Sequence, residues 1–163
     1  MKNTTDYIVV GGGASGCALT SRLLKSNNEV SLFEAGHSHH NFLLDVPAGF
    51  FKLINDSKYM TYHKTLPQEH LGDRENIIPQ GNVLGGGTSV NSQIYMRGRP
   101  QDYNEWDEIL RFNNDTTSWA WDDLLPYFIN IENNSRLDNQ FHGKSGPLMV
   151  SDSSHIDQLT KDF

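Results

Sequence analysis

The sequence predicts an α/β fold organised around one βαβ unit near its amino terminus. Three features indicate this unit: an apolar run at residues 8–10, a glycine-rich turn at residues 11–16 and a second apolar run at residues 30–33. Apolar residues recur at helical spacing between the turn and the second run, which predicts a helix over residues 14–25. A strand, a helix and a second strand in this order are typical of a parallel sheet.

The glycines of the turn have the spacing G-x-G-x-x-G, and each has a separate physical task. Gly11 permits the tight turn, Gly13 lets a phosphate approach the main chain closely, and Gly16 lets the helix pack onto the strand. The first N–H groups of the helix have no partner within the helix, so they favour an anion at the turn.

An acidic residue, Glu34, follows the second predicted strand and lies 18 residues after Gly16. A carboxylate at this distance hydrogen-bonds the ribose diol of a dinucleotide, and an acid in place of an arginine argues against a 2′-phosphate. The turn, the helix and the acid together predict a Rossmann-like dinucleotide-binding site. The alternative is a structural glycine turn without a ligand.

A second glycine-rich stretch lies at residues 79–92 and contains three consecutive glycines, 85–87, followed by Thr88 and Ser89. We expect a loop that runs into a helix N-terminus, with backbone donors facing a ligand. Three glycines in a row indicate the close approach of a flat or charged ligand to the main chain. Two glycine-rich helix starts are expected for a large dinucleotide that is contacted at both ends.

The rest of the chain predicts mostly helices. We expect a short amphipathic helix within residues 43–54, a short strand within 58–64, helices over 101–110 and 121–131, and a polar linker over 133–139. A proline inside the last of these helices leaves open where that helix begins.

Composition excludes several classes of function. The 163 residues carry 13 basic and 20 acidic side chains, a net charge of −7, so no basic face is expected for nucleic acid or an anionic membrane. No apolar stretch is long enough to span a bilayer, and residues 1–6 show no signal-peptide hydrophobic region. The single cysteine, Cys17, is consistent with a reducing compartment, so we expect a cytoplasmic protein. His37, His39 and His40 crowd together without a second ligand cluster, so we expect an exposed loop and no metal.

Taken together, these motifs resemble those of the glucose-methanol-choline (GMC) flavoprotein oxidoreductases. Residues 81–91 match the core G-x-x-L-G-G-x-[ST]-x-x-N of the family's first signature, which continues to Tyr95 and to Arg97-Gly98. Residues 6–13 and 33–36 look like the family's site for flavin adenine dinucleotide (FAD). Further matches keep the family order: Asp102, Tyr103, Trp106, Trp121, Leu124, Leu125, Pro126, Tyr127, Phe128, Glu132, His142, Gly143, Gly146, Pro147 and Leu148.

The resemblance implies an enzyme that oxidises an alcohol by hydride transfer to FAD, similar to choline dehydrogenase-like members. Its partners would be a small-molecule alcohol and an electron acceptor. Some members attach the flavin through a histidine immediately before the signature asparagine; Val90 stands there in this chain, so we expect non-covalent FAD. The residues that would contact FAD are Gly11, Gly13, Ala14, Ser15, Gly16, Glu34, Ala35, Val83, Gly86, Asn91, Ser92, Gln93 and Ile94.

The resemblance also implies that this chain is the amino-terminal portion of such an enzyme, with an incomplete parallel sheet. Residues 1–140 would belong to the FAD-binding domain and residues 141–163 to the start of a substrate-binding domain. The family's catalytic pair, a histidine with a second histidine or an asparagine, belongs to a later segment, so we assign no catalytic residue here. The four remaining histidines stand without a partner motif and are expected to be structural or exposed: His63, His70, His142 and His155.

Two other interpretations stay open. A nicotinamide-dependent dehydrogenase shares the first βαβ unit but does not need the second glycine-rich stretch, and a preference for NAD over FAD would favour it. A non-catalytic remnant or interaction module predicts no alcohol-dependent reduction of an artificial electron acceptor, even when FAD is supplied.

Overall fold

The structure of the chain is a computed structural model that describes residues 4–153 and 156–162. The chain forms two compact units, which divide between Ile94 and Tyr95. The predicted boundary between residues 140 and 141 separates a cofactor domain from a substrate domain, and it stays a prediction. The strands and helices in chain order are β1 (Tyr7–Val10), α1 (Ala14–Lys25), β2 (Val30–Phe33), α2 (Phe42–Asp45), α3 (Phe50–Leu53), β3 (Met60–Lys64), β4 (Ile77–Gly81), α4 (Pro100–Phe112), α5 (Trp121–Ile131), β5 (Glu132–Asn134), β6 (Leu148–Val150) and α6 (Gln158–Asp162).

The first unit contains the predicted βαβ arrangement. β1 and β2 run parallel, with Tyr7 opposite Val30 and Val10 opposite Phe33. The connecting helix α1 covers the predicted residues 14–25, and β2 covers the predicted residues 30–33. The α/β prediction is therefore confirmed for this part of the chain.

The two-stranded parallel sheet leaves most of its apolar surface open. Val9 is only 8% exposed, whereas Ile8 is 64% and Val10 is 84% exposed. Parallel sheets are normally covered on both faces. In the described part of the chain the sheet is therefore incomplete, as predicted.

An antiparallel hairpin follows, in which β3 pairs with β4 and Met60 lies opposite Gly81. The strand predicted within residues 58–64 is confirmed as β3. A small hydrophobic core lies at the end of the hairpin where β4 ends. The second glycine-rich stretch therefore begins next to packed side chains. The core residues are Leu53, Tyr59, Met60, Val83 and Val90.

The helix predicted within residues 43–54 is interrupted. The chain forms α2, then a single 3-10 turn at Pro47–Gly49, then α3. Val46 has an extended backbone, with φ −109° and ψ 134°. The ring of Pro47 disfavours the helical conformation for the residue before it, which explains the break.

Helices α4 and α5 dominate the second unit. α4 begins at Pro100, whose missing N–H is not needed at the first helical position, and it extends slightly beyond the predicted residues 101–110 at both ends. α5 covers the predicted residues 121–131 with Pro126 inside it, so the proline does not move the start of the helix.

Asp107, on α4, fastens the loop that leads to α5. Its carboxylate accepts hydrogen bonds from the Arg111 Nε at 2.6 Å, the Trp119 N–H at 2.8 Å and the Ser118 hydroxyl at 3.2 Å. The hydrogen bond from Arg111, followed by that from Trp119, holds the pKa of Asp107 below its ordinary value of 3.8. The carboxylate therefore serves this loop in its charged form.

The polar linker predicted over residues 133–139 is partly wrong, because its first residues belong to β5. This strand pairs parallel with β6, with Glu132 opposite Leu148 and Asn134 opposite Val150. The polar side chains do not exclude a strand because they are satisfied internally: Asn134 donates to the buried carboxylate of Glu132 at 2.7 Å. The pattern of polar residues could not reveal that partner.

Candidate functional site

In the first glycine-rich turn, each of the three glycines of the G-x-G-x-x-G motif has a different structural environment. Gly11 has φ 93°, a left-handed conformation that favours glycine. A Cβ at Gly16 would lie 1.9 Å from the carbonyl oxygen of Gly11, so the helix packs against the turn without room for a side chain. A Cβ at Gly13 would meet no atom within 4 Å. The main chain at Gly13 therefore faces open space, as the predicted approach of a phosphate requires.

Gly12 joins this turn to two other parts of the unit. Its N–H donates to the Glu34 carboxylate at 2.6 Å, and its carbonyl oxygen accepts from the N–H of Gly85 at 2.7 Å. The thiol of Cys17 also donates to this carbonyl, at 3.2 Å. Gly12 is buried, and a Cβ there would lie 2.7 Å from Leu84 Cδ1. The motif marks Gly11, Gly13 and Gly16, so its sequence signal gave no reason to single out Gly12.

Among the described residues, Glu34 has two hydrogen-bond partners, and both are backbone groups. Its Oε2 accepts from Gly12, and its Oε1 accepts from the N–H of Gly36 at 2.7 Å. Each oxygen of a carboxylate can accept a further hydrogen bond, so ribose hydroxyls can be added without displacing these donors. The neighbouring Ala35 is exposed.

The second glycine-rich stretch does not begin an α-helix, which corrects the prediction of two helix starts. It forms one 3-10 turn, Gly86–Ser89, and residues 91–99 are irregular. Gly85 and Gly86 have φ values of 96° and 57°, which a regular right-handed helix cannot contain. A turn this short has no substantial helix dipole, so it can offer a ligand only local N–H groups.

Side chains hold this second turn closed. The Thr88 hydroxyl donates to the carbonyl of Gly85 at 2.6 Å, and the Ser89 hydroxyl donates to the carbonyl of Leu84 at 2.8 Å. A Cβ at Gly86 would lie 3.0 Å from Gly13 Cα, so the two glycine-rich turns touch main chain to main chain. The structure thus brings Gly13 and Gly86, both predicted site residues, into contact.

The other predicted site residues differ in what they can offer a ligand. Val83 is fully buried in the core, main chain included, so it presents no surface to a ligand. The side-chain oxygen of Asn91 accepts from the N–H of Gln93 at 2.8 Å, and Gln93 has the unusual φ of 59°. Ser92 and Ile94 are exposed, and Ile94 is 76% exposed.

These features fit the pyrophosphate of a dinucleotide. Among the described residues, no side chain caps α1, because its N-cap is Gly13 and its first turn contains no acid. The first N–H groups of the helix, at Ala14 and Ser15, therefore need an acceptor from outside the helix. An anion placed against the open face of Gly13 would supply that acceptor without a lysine.

The second unit contains a buried polar cluster that explains several motif matches. The fully buried carboxylate of Glu132 pairs with the Arg97 guanidinium and accepts from Asn134 at 2.7 Å, and its Oε1 lies 2.8 Å from His142 Nδ1. Arg97 also donates to the carbonyl of Phe141 at 2.6 Å. Residues that matched the family signatures at separate places in the sequence therefore converge on one carboxylate.

Opposing effects act on the pKa of Glu132. Burial raises it, whereas the hydrogen bonds from Asn134, His142 and the Gly143 N–H, together with the charge of Arg97, lower it. The lowering effects prevail, so the pKa lies below the ordinary value of 4.5. Glu132 is therefore a charged structural residue and is paired on several sides.

Three of the four remaining histidines lie in the described part of the chain. His63 on β3 and His70 are exposed, and Nδ1 of His142 lies 2.8 Å from the Glu132 carboxylate. The assignment of no catalytic residue stays a prediction. His155 lies outside the described residues. No group of three or more His, Cys, Asp or Glu residues there could hold a metal ion.

The described helices are also too short or too polar to cross a membrane.

Comparison with known proteins places this geometry in a family. The family model of the GMC oxidoreductases matches residues 5–161. An alcohol dehydrogenase (acceptor) of Pseudomonas putida is 37% identical over 160 residues, which are 97% of this chain and 28% of that protein. An oxygen-dependent choline dehydrogenase of Photobacterium profundum is 35% identical over 149 residues, 91% of this chain and 25% of that protein.

Solved structures agree with the fold. The pyridoxine 4-oxidase from Mesorbium loti matches with a TM-score of 0.75 and 32% identity, over 90% of this chain and 28% of that one. A formate oxidase from Aspergillus oryzae RIB40, studied for FAD modification, matches with a TM-score of 0.73 and 27% identity, over 95% of this chain and 28% of that one. This chain thus spans little more than a quarter of the proteins that it matches. Both the family model and these relatives cover nearly all of it, and the chain belongs to the GMC oxidoreductase family.

Proposed function

We propose that this chain forms the FAD-binding portion of an oxidoreductase that oxidises alcohols, in the manner of the choline dehydrogenase-like relatives. One observation carries the proposal: the two glycine-rich turns are joined through Gly12 and Gly85, with the open face of Gly13 beside them. A nicotinamide-dependent dehydrogenase would explain the first turn alone. The paired turns favour a dinucleotide larger than the nicotinamide cofactor, one that both turns contact.

Each part of the site has a separate task in this proposal. The N–H groups at the start of α1 hold the pyrophosphate against Gly13, and Glu34 accepts hydrogen bonds from the adenosine ribose. Gly86 and the segment from Asn91 to Ile94 would contact the rest of the cofactor. FAD, when bound, supplies the acceptor for a hydride from the alcohol.

Non-covalent attachment of FAD is part of the proposal. Val90 replaces the histidine that binds the flavin covalently in some members, and its side chain is 8% exposed in the core. A valine side chain offers no nucleophile. Acid precipitation of the flavoprotein should therefore release the flavin to the supernatant, and flavin that stays with the protein pellet would contradict this part.

We also propose that residues 1–163 alone bind FAD without turnover, and that the alcohol and the electron acceptor are small molecules that the longer protein would bind. Abstraction of the alcohol proton needs a placed base. The described histidines are exposed or held by Glu132, which supports this proposal. The test is alcohol-dependent reduction of an artificial acceptor, together with the intact mass of the native polypeptide. A cytoplasmic location stays a prediction that cell fractionation can check.

Titration with FAD and NAD tests the binding proposal directly. FAD should bind more tightly than NAD, and Gly13→Ala should weaken FAD by about tenfold or more because a methyl group would occupy the space of the pyrophosphate. The melting temperature without FAD should not change in this variant, since the added Cβ meets nothing within 4 Å. Preference for NAD, or unchanged FAD binding by Gly13→Ala, would contradict the proposal.

A further inference from the structure

We infer that Glu34 is a positioning residue for the second glycine-rich turn, in addition to its proposed contact with the ribose. The identity of the ligand, FAD, rests on the proposed function. The positioning of the turn can be measured without any ligand. Two independent routes of backbone hydrogen bonds lead from the carboxylate to residues 84–85.

The first route passes through Gly12. Oε2 of Glu34 accepts from the Gly12 N–H at 2.6 Å, and the Gly12 carbonyl accepts from the Gly85 N–H at 2.7 Å. Gly12 has little freedom to move independently, because it is buried and a Cβ there would lie 2.7 Å from Leu84 Cδ1. A displaced carboxylate would therefore shift Gly12 and, with it, the start of the second turn.

The second route passes through Gly36 and His37. Oε1 of Glu34 accepts from the Gly36 N–H at 2.7 Å. The next residue, His37, donates to the carbonyl of Asn82 at 3.0 Å and accepts from the N–H of Leu84 at 2.9 Å. The main chain of Gly36 packs so closely on Asn82 that a Cβ would lie 2.2 Å from its carbonyl carbon. The same carboxylate thus also holds the chain that enters the second turn.

Both routes require a carboxylate in particular. Its two oxygens accept from two different N–H groups, whereas a glutamine amide has one oxygen and one NH₂. In Glu34→Gln one of the two backbone donors would face another donor and lose its acceptor. The substitution therefore releases one route while leaving the size of the side chain nearly unchanged.

Amide hydrogen exchange in the chain at its native length, without cofactor, tests the inference. In Glu34→Gln, exchange should become about tenfold faster at Leu84 and Gly85 as well as at Gly12 and Gly36. Glu75→Gln is the matched control in the same unit, because the Glu75 side chain is 47% exposed and pairs only loosely with Lys64 at 3.5 Å. Faster exchange confined to Gly12 and Gly36 would overturn the inference.

The unmodified chain provides a second measurement that does not depend on the variant folding. If Glu34 couples the two turns, the amides of Gly12, Leu84 and Gly85 open together, and their protection factors should agree within about threefold. Protection factors that differ by more than about tenfold among these three amides would overturn the coupling.

Ligand binding separates positioning from a contact with the ribose alone. ADP carries the adenosine ribose but has no flavin end. If Glu34 contacts only the ribose, Glu34→Gln should lower the affinities for ADP and for FAD by the same factor. If Glu34 also positions the second turn, the affinity for FAD should fall about fivefold or more further than the affinity for ADP. Equal loss would overturn the inference. If the unmodified chain binds neither ligand, the proposed function fails, and the exchange measurement still decides the inference.

Discussion

The N–H of Gly85 donates a hydrogen bond of 2.7 Å to the carbonyl oxygen of Gly12, so the two glycine-rich turns meet main chain to main chain. Gly85 makes this bond with an unusual, left-handed backbone, whose φ is 96°. A Cβ at Gly85 would also lie 2.0 Å from the hydroxyl oxygen of Ser89. Both the backbone conformation and the packing therefore favour glycine at this position.

Gly85→Ala should lower the free energy of unfolding by about 1–2 kcal/mol, because an L side chain is strained at this φ. FAD affinity should fall as well, since the turn leaves its position beside Gly13. The double variant Gly85→Ala, Ser89→Ala removes the clash with the hydroxyl but keeps the backbone strain. Chemical denaturation should show only partial recovery, and full recovery in the double variant would contradict the explanation by φ.

Gly16→Ala and Gly13→Ala form a matched pair on the first turn. The Cβ of Gly16→Ala would lie 1.9 Å from the Gly11 carbonyl oxygen, so we expect a loss of about 2 kcal/mol or more in unfolding free energy. Gly13→Ala should stay within about 0.5 kcal/mol of the unmodified chain, because it meets no protein atom. Denaturant unfolding without FAD checks both variants. Equal destabilisation would contradict the separate roles of the two glycines.

Arg97→Ala should destabilise the second unit strongly. The substitution leaves the fully buried carboxylate of Glu132 without its cationic partner, which typically costs about 3–5 kcal/mol. Arg99→Ala is the control, because Arg99 pairs with Asp102 on the surface and its side chain is 77% exposed. The unfolding free energies of the two variants check this contrast, and similar losses in both would contradict it.

The stability of the chain should fall as the pH drops below about 4.5, in part because of Glu132. The pKa of Glu132 is lower in the folded chain than its ordinary value of 4.5. Between these two pKa values the unfolded chain binds a proton at this carboxylate, whereas the folded chain does not. The contribution is fully present above the ordinary pKa and is lost as the pH falls through the folded one. Glu132→Gln should make the curve of unfolding free energy against pH flatter in this acidic range, and an unchanged slope would contradict the assignment.

Asp107→Asn should lower the melting temperature of the second unit. The carboxylate accepts from Arg111, Trp119 and Ser118, and an amide offers one acceptor oxygen where these donors use two. Glu108→Gln makes the same chemical change at the exposed neighbouring residue and serves as the control. Thermal unfolding followed by circular dichroism checks the pair. A control that melts as low as Asp107→Asn would contradict the role of this carboxylate.

Local signals were strong enough to predict much of the fold. The bounds of α1, β2 and α5 follow the predicted residues because apolar spacing and the glycine turn mark them within a short window. In two of the predictions from local patterns that were wrong, the cause was either a restricted backbone conformation or a hydrogen-bond partner. Val46 is extended by the proline after it, and β5 forms from polar residues because Asn134 finds Glu132.

The sequence by itself determined the βαβ unit, the spacing of its glycines and the acid after β2, since each depends on residues that are close together in the chain. Only the tertiary structure decided that Glu34 and Gly85 both hydrogen-bond to Gly12, and that Arg97, Glu132 and His142 share one buried cluster. These contacts join residues that are distant in sequence, and they use backbone groups and burial. The type of a residue predicts neither the hydrogen bonds of its backbone nor its burial.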